Sequence, residues 1–194
     1  MKQQFLEISY NKLKGVIENI SETDASDIYA LSFWYNNDND DPRFPMITFS
    51  FNTTENYKEN IKNASGEKEA KWNYAFWLQN DIVDIGGKNN ELLNEWFKMT
   101  DYFYSDEDDR NASKDKLLFN EILNKGSQFN NEFIEEIIIL TKRLFAEKVI
   151  KKKFGKDIPV LVHELEYYEE PIRWTIKSNP NGLVDEFVEW ARTQ

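Results

Sequence analysis

The sequence predicts an α+β fold, in which two hairpins form a single largely antiparallel sheet covered by several helices, one of them long and central. Three observations support this fold class. The stretch from Asn130 to Gly155 carries two adjacent apolar rows at helical spacing. Segments 28–35 and 44–51 are dense in aromatic and aliphatic residues and have the length of strands. Segment 158–166 alternates in part and is followed by a turn and another apolar run.

The central helix is predicted from its start and stop signals. Asn130 or Asn131 can cap the first free amide groups, and the glutamates that follow suit the positive end of the helix dipole. Several lysines near the other end complement the negative end, and Gly155 can adopt the left-handed conformation that ends a helix. At ~1.5 Å rise per residue the segment is roughly 36 Å long, so we expect it to cross the sheet and seed the core.

The other elements follow from apolar spacing and from turn residues. A polar turn at 36–42 separates the first two strands, and Ser105–Arg110 is expected to be an acidic loop. The second hairpin is expected to pair a strand at 158–166 with one at Ile172–Lys177, across a turn at 167–171. Further helices are expected at residues 2–20, 52–63, 89–99, 114–124 (ended by Gly126) and from Asn179 onward.

Composition indicates a soluble, well-packed chain. With 194 residues, 15% of them aromatic, and neither a linker nor a repeat, a single α+β domain spanning residues 1–194 is expected. The absence of cysteine excludes disulfides and thiolate chemistry. No apolar run follows Met1 that could serve as a signal peptide or a membrane span, so a cytoplasmic location is expected.

Charge is the strongest global indication of a partner. The chain has 35 acidic and 24 basic residues, a net charge of −11. Such a field repels nucleic acid and anionic membranes and attracts basic surfaces. The alternative is that the acidity only keeps the protein soluble.

Catalytic and metal-binding motifs are weak in this sequence. The only histidine, His163, lies within a predicted strand, where a packed histidine is more common than a catalytic or zinc-binding one. The aspartate runs at 38–41 and 106–109 lack the glycine and distal glutamate of a calcium loop. Glu69 with Lys71 is too short a pattern to indicate a nuclease, and no phosphate loop is present. No cofactor is expected; paired carboxylates for sugar cleavage stay open.

Acidic residues cluster at predicted turns and loops, and the last cluster contains tyrosines. Tyrosine rings among carboxylates suit recognition of a basic protein, because rings supply buried area and charges steer the encounter. The alternative is that these segments are ordinary solvated turns. The predicted partner-binding residues are Asp38, Asp40, Asp41, Asp106, Glu107, Asp108, Asp109, Glu166, Tyr167, Tyr168 and Glu169.

Trp72 and Trp77 lie in the most aromatic window of the chain. In a strand, residues five apart would face opposite sides of the sheet. Core packing is the favoured interpretation for both rings. The alternative is that one of them lines a groove, which makes the pair a possible pocket wall.

Several short pieces of the chain carry a family resemblance. They are the strand Ile28–Tyr35, the segment Asn52–Glu55, the pair Trp72 and Trp77, and the ending Ser178, Asn179 and Pro180 that leads into Phe187 and Trp190. With these pieces the chain resembles an uncharacterised bacterial domain-of-unknown-function family (DUF4303-like), whose members often lie beside polymorphic toxins. The resemblance implies an accessory or immunity-type role and carries over no catalytic residue.

The leading hypothesis is a non-enzymatic module that binds and neutralises a basic partner, such as a cognate toxin. A second hypothesis is a small-ligand binder or hydrolase that uses an aromatic pocket near Trp72 and Trp77. A third is an inhibitor of a host or phage nucleic-acid-processing machine. The sequence does not separate the first from the third, since the same acidic surface would serve both.

Overall fold

A four-stranded mixed sheet organises the computed structural model, which describes residues 1–194. The sheet has the order β3-β2-β1-β4; β2 is antiparallel to β1 and β3, whereas β4 is parallel to β1. The strands are β1 (Ile28–Asn37), β2 (Pro45–Thr53), β3 (Val83–Gly86) and β4 (Val160–His163). The α+β class and the first hairpin are therefore confirmed, and the predicted second hairpin is wrong.

Ten α-helices cover the sheet. They are α1 (Lys2–Asn19), α2 (Glu22–Asp27), α3 (Thr54–Asn60), α4 (Glu67–Trp72), α5 (Glu91–Lys98), α6 (Asp106–Ala112), α7 (Lys116–Ala146), α8 (Val149–Phe154), α9 (Glu169–Ser178) and α10 (Asp185–Ala191). None of them is both long enough and apolar enough to cross a membrane.

The predicted long helix exists, but its limits differ from the prediction. α7 has 31 residues and begins at an Asp115 cap, so it joins the two helices that were expected on either side of Gly126. Gly126 lies inside the helix, and Pro42 packs against it so closely that an added Cβ would be 2.8 Å from the proline ring. The helix breaks where Lys148 adopts a left-handed conformation (φ 60°), and α8 then ends at Gly155 as expected.

The segment Ile172–Lys177 is helical, not the second strand of a hairpin. Its apolar residues alternate, which favours a strand, yet one of them, Ile176, is 41% exposed. The buried positions of α9 and its C-cap instead follow a helical spacing through Ile172, Thr175 and Asn179, two of which are polar. Because Thr175 and Asn179 are polar, the spacing of apolar residues in the sequence does not reveal this helical period.

The acidic segment Ser105–Arg110 is also helical. Ser105 accepts a hydrogen bond from the Asp108 amide, and the Asp108 carboxylate accepts one from the Ser105 amide. This reciprocal capping box begins α6, and acidic residues in the first turn suit the helix dipole. The predicted loop is therefore wrong.

Side chains of α9 and of Asn179, the residue that follows it, close the free edge of β4. The Thr175 hydroxyl accepts from the Val162 amide and donates to the Val162 carbonyl, both at 3.0 Å. The Asn179 side chain does the same for Val160, at 2.9 and 2.7 Å. Because Asn179 is used here, the last helix begins at Asp185 and not at Asn179 as predicted.

The two faces of the sheet bury separate hydrophobic clusters. The larger cluster holds 33 buried residues, including Phe33, Phe49 and Phe133, between the sheet and helices such as α1, α5 and α7. The smaller one, on the other face, contains Trp72 and Trp77, which are 3% and 5% exposed. The favoured core positions of these two rings are confirmed.

Candidate functional site

Three acidic segments that are distant in sequence meet at one edge of the sheet. Because β1 and β4 are parallel, with Trp34 opposite His163, the chain leaves both strands at the same edge. Asp38–Asp41 follows β1, and Glu164–Glu170 follows β4. Asp106–Asp109 is brought to the first segment by ion pairs. We call these three segments together the acidic edge.

Arg43 joins the first acidic segment to the second. Its guanidinium lies 2.6 Å from the Asp41 carboxylate, 2.5 Å from that of Asp106 and 3.9 Å from that of Asp109. The guanidinium also lies over the Tyr104 ring. Arg43 lowers the pKa of Asp106 by hydrogen bonding and charge. The hydrogen bonds of Arg43 to Asp41, and then to Asp106, raise the pKa of Arg43.

A crevice of about 490 Å³ lies between the first segment and the third. Asn37 and Pro42 line one side of it, and Glu164, Tyr168 and Glu170 line another. We call it the Glu164 crevice. Its floor is the carboxyl end of β1, and α7 and α9 form its walls.

Some of the predicted partner-binding carboxylates have structural roles. Asp38 accepts a hydrogen bond from the Lys88 amide at 2.9 Å and so holds the chain beyond β3. Asp41 accepts from both the backbone and the guanidinium of Arg43. The Asp108 carboxylate accepts from Ser105, and these hydrogen bonds lower its pKa. These three carboxylates therefore hold the chain's own structure through hydrogen bonds.

Other predicted carboxylates of the acidic edge are available to a partner. Asp40, Glu107 and Glu166 are exposed, one in each segment. None of the three takes part in an ion pair. Glu169 is also exposed, 3.4 Å from the equally exposed Arg192. Exposed pairs of this kind contribute little to stability and open readily to a competing cation.

The two predicted tyrosines have different environments. The Tyr167 hydroxyl accepts from the Tyr74 amide at 2.9 Å and donates to the Trp72 carbonyl at 3.2 Å. Burial raises its pKa. Tyr168 is 47% exposed and donates to the Glu164 carboxylate. Of the pair, Tyr168 is the one that presents its ring to solvent at the acidic edge.

His163 is a buried structural residue, as predicted. Its Nδ1 lies 2.6 Å from the Glu164 carbonyl, which can only accept, so Nδ1 carries the proton. Its Nε2 then accepts from the Ser32 hydroxyl at 2.7 Å. Complete burial lowers the pKa of His163 to about 4, so the ring is neutral at physiological pH.

Neither Trp72 nor Trp77 lines the crevice of about 590 Å³ beside them. That crevice lies between the Glu166–Glu169 turn and the C-terminal segment, with Trp190 and Arg192 on its wall. No group of three or more Asp, Glu or His side chains is arranged so that it could hold a metal ion. Sequence analysis missed Arg43, the exposed Leu165, and Asn130 and Trp174, which line the Glu164 crevice. The signal for Arg43 is a single base two residues after an acidic run.

Replacing Arg43 by methionine is expected to destabilise the acidic edge. Methionine keeps the packing against Tyr104 but leaves Asp41, Asp106 and Asp109 to repel one another. We expect the free energy of unfolding to fall by about 1–2 kcal/mol in low salt and to recover in part in high salt. Urea unfolding at both salt levels measures this, with Arg192→Met as the exposed-pair control. Equal losses in the two variants would contradict a special role for Arg43.

Comparison of the chain with models of known protein families, with curated proteins and with solved structures finds no significant match. The resemblance to the DUF4303-like family therefore stays a prediction. Function is inferred from the chemistry of the acidic edge.

Proposed function

We propose that this chain is a non-enzymatic, cytoplasmic protein-binding module that neutralises a basic partner protein, such as a cognate toxin, in the manner of an immunity protein. The observation that carries the proposal is the convergence of the three acidic segments at one edge of the sheet. Dispersed carboxylates serve solubility equally well, whereas a concentrated edge produces a directed field.

The acidic edge combines charge with apolar anchors. Leu165 is 63% exposed and Tyr168 is 47% exposed, and both lie within the third acidic segment. Protein interfaces typically surround a core of apolar anchors with a polar rim. A few of these anchors carry most of the binding energy. The exposed carboxylates would accelerate association, and Tyr168 and Leu165 would slow dissociation.

The test neutralises one free carboxylate in each segment. The variant Asp40→Asn/Glu107→Gln/Glu166→Gln changes exposed, unpaired groups, and asparagine tolerates the positive φ of residue 40. Asp38, Asp41 and Asp108 are left intact because they hold the fold. The control variant is Glu55→Gln/Glu59→Gln/Glu67→Gln, which removes the same charge from exposed residues beyond the other end of β2.

Each protein is immobilised and exposed to lysate of the native host, and captured proteins are identified by mass. We expect wild type and the control to capture the same basic protein in stoichiometric amount and the edge variant to lose it. With the purified partner, the association rate should fall steeply between about 50 mM and about 500 mM salt. A toxin among the captured proteins supports the immunity role, and a nucleic-acid enzyme of the host or its phage indicates the third hypothesis. Equal capture by all three proteins, or no basic partner for wild type, would contradict the proposal.

A further inference from the structure

The Glu164 crevice is a concave site at one end of the sheet. It lies beyond the carboxyl ends of the parallel strands β1 and β4, where β1 turns into β2 and β4 leads toward α9. Its volume of about 490 Å³ is within the range of small-molecule sites. α7 and α9 are packed against each other and hold its walls.

The lining of the crevice has negative charge and no base. Glu164 and Glu170 contribute carboxylates, and the lining contains no lysine, arginine or histidine. Glu170 is paired with Arg173 at 3.0 Å, and both side chains are exposed. Glu164 has no cationic partner and accepts only from the Tyr168 hydroxyl. A cation in the crevice would therefore meet an uncompensated carboxylate.

The crevice also offers a free acceptor and flat rings. Asn130 lines it, and the side-chain oxygen of Asn130 has no hydrogen-bond partner. An unpaired buried acceptor gains more from a new donor than a solvated one does. Trp174 lines the crevice and is held edge-on against Tyr35, with ring centroids 5.8 Å apart. A held indole is a favourable surface for a planar cation.

We propose that the Glu164 crevice binds a guanidinium group, presented either by an arginine side chain of the basic partner or by a small guanidinium compound. A guanidinium is planar, carries five donors and stacks on aromatic rings, so it can use the carboxylate, the amide and the indole together. An ammonium ion lacks the flat face and the donor fork. This inference deepens the proposed function and, for the protein ligand, rests on it.

The probe is Nα-acetyl-arginine amide, compared with the matching citrulline and lysine amides. Citrulline has nearly the same shape without the charge, and lysine has the charge without the fork. Binding is followed by NMR of the tryptophan indole N–H groups, with the Trp174 signal assigned from Trp174→Phe. We expect the arginine probe to shift the Trp174 signal in a saturable way below about 10 mM and the other two probes to bind at least about tenfold more weakly.

Two single-charge variants supply the matched comparison. Glu164→Gln keeps an acceptor for Tyr168 but removes the charge, and we expect the affinity for the arginine probe to fall at least about tenfold. Glu55→Gln removes an exposed charge beyond the other end of β2, away from the crevice, and its affinity should stay within about twofold of wild type. Equal binding of arginine and citrulline, equal binding of arginine and lysine, or an unchanged affinity in Glu164→Gln would each overturn the inference.

Binding of the captured partner to Glu164→Gln distinguishes the two sources of the guanidinium group. If Glu164→Gln weakens both the probe and the partner, the crevice receives an arginine of that partner. If it weakens the probe alone, the crevice is a small-molecule site. If the partner is captured through the free carboxylates while the arginine probe does not bind, the inference fails and the proposed function stands.

Discussion

Replacing Thr175 by valine is expected to lower the free energy of unfolding by about 2–6 kcal/mol, a large loss for a change of nearly constant volume. The reason is that the Thr175 hydroxyl satisfies both the amide and the carbonyl of Val162 inside the protein. Valine leaves both groups buried without a partner, at about 1–3 kcal/mol each. Asn179→Leu should produce a loss of similar size, because it leaves the amide and the carbonyl of Val160 without hydrogen-bond partners.

Thr141→Val is the matched control for Thr175→Val. Thr141 is also fully buried, but its hydroxyl donates to the Ile137 carbonyl of its own helix. That carbonyl keeps its helical hydrogen bond, so the loss should stay below about 1 kcal/mol. Urea unfolding followed by circular dichroism gives the three values. If Thr175→Val and Thr141→Val lower the free energy of unfolding by the same amount, Thr175 does not stabilise the protein by closing the β4 edge.

Acid is expected to destabilise the fold through His163. The pKa of His163 is about 4 in the folded protein, because burial disfavours the charged ring, and about 6.5 in an unfolded chain. Above the unfolded pKa neither state binds the proton, so the contribution to stability is complete. As the pH falls below that value the unfolded chain is protonated first, and stability is lost progressively toward the folded pKa. From about pH 7 to about pH 5 the loss from this group is about 2 kcal/mol.

His163→Gln separates this group from the carboxylates that also titrate in acid. Glutamine can keep a hydrogen bond to Ser32 and has no titration in this range. The stability of wild type should therefore fall by about 2 kcal/mol more than that of the variant between about pH 7 and about pH 5. His163 is the only histidine, so its imidazole NMR signals need no assignment. A midpoint near the ordinary histidine value in the folded protein would contradict the prediction.

Local signals predicted much of the fold, because they depend on neighbouring residues. Asn90 caps α5 and Thr53 caps α3 through side-chain acceptors of the expected kind. The pairing of β1 with β2 follows from two adjacent strands and a short turn. Gly126 was wrongly predicted to end a helix, because a glycine that ends a helix and a glycine that accommodates Pro42 look the same in sequence.

Long-range pairing accounts for what the sequence did not predict. Alternation in Ile172–Lys177 favoured a strand, and only the position of β4 shows why Thr175 and Asn179 belong on one buried helical side. The same pairing of β4 with β1 brings the third acidic segment to the first. The acidic residues themselves were identified from sequence, but their convergence depends on a strand order that local patterns do not specify.

The parallel pairing of β4 with β1 also determines which parts of the fold can form first while the chain is being synthesised. The β1–β2 hairpin closes over a short turn, so it can form soon after residue 53 leaves the ribosome. β4 must find β1 across most of the chain, and Trp174 and Glu170 arrive later still. A nascent chain therefore carries its first acidic segment long before the third exists. The Glu164 crevice is completed only after residue 174 has been made, and a chain interrupted before that residue lacks it.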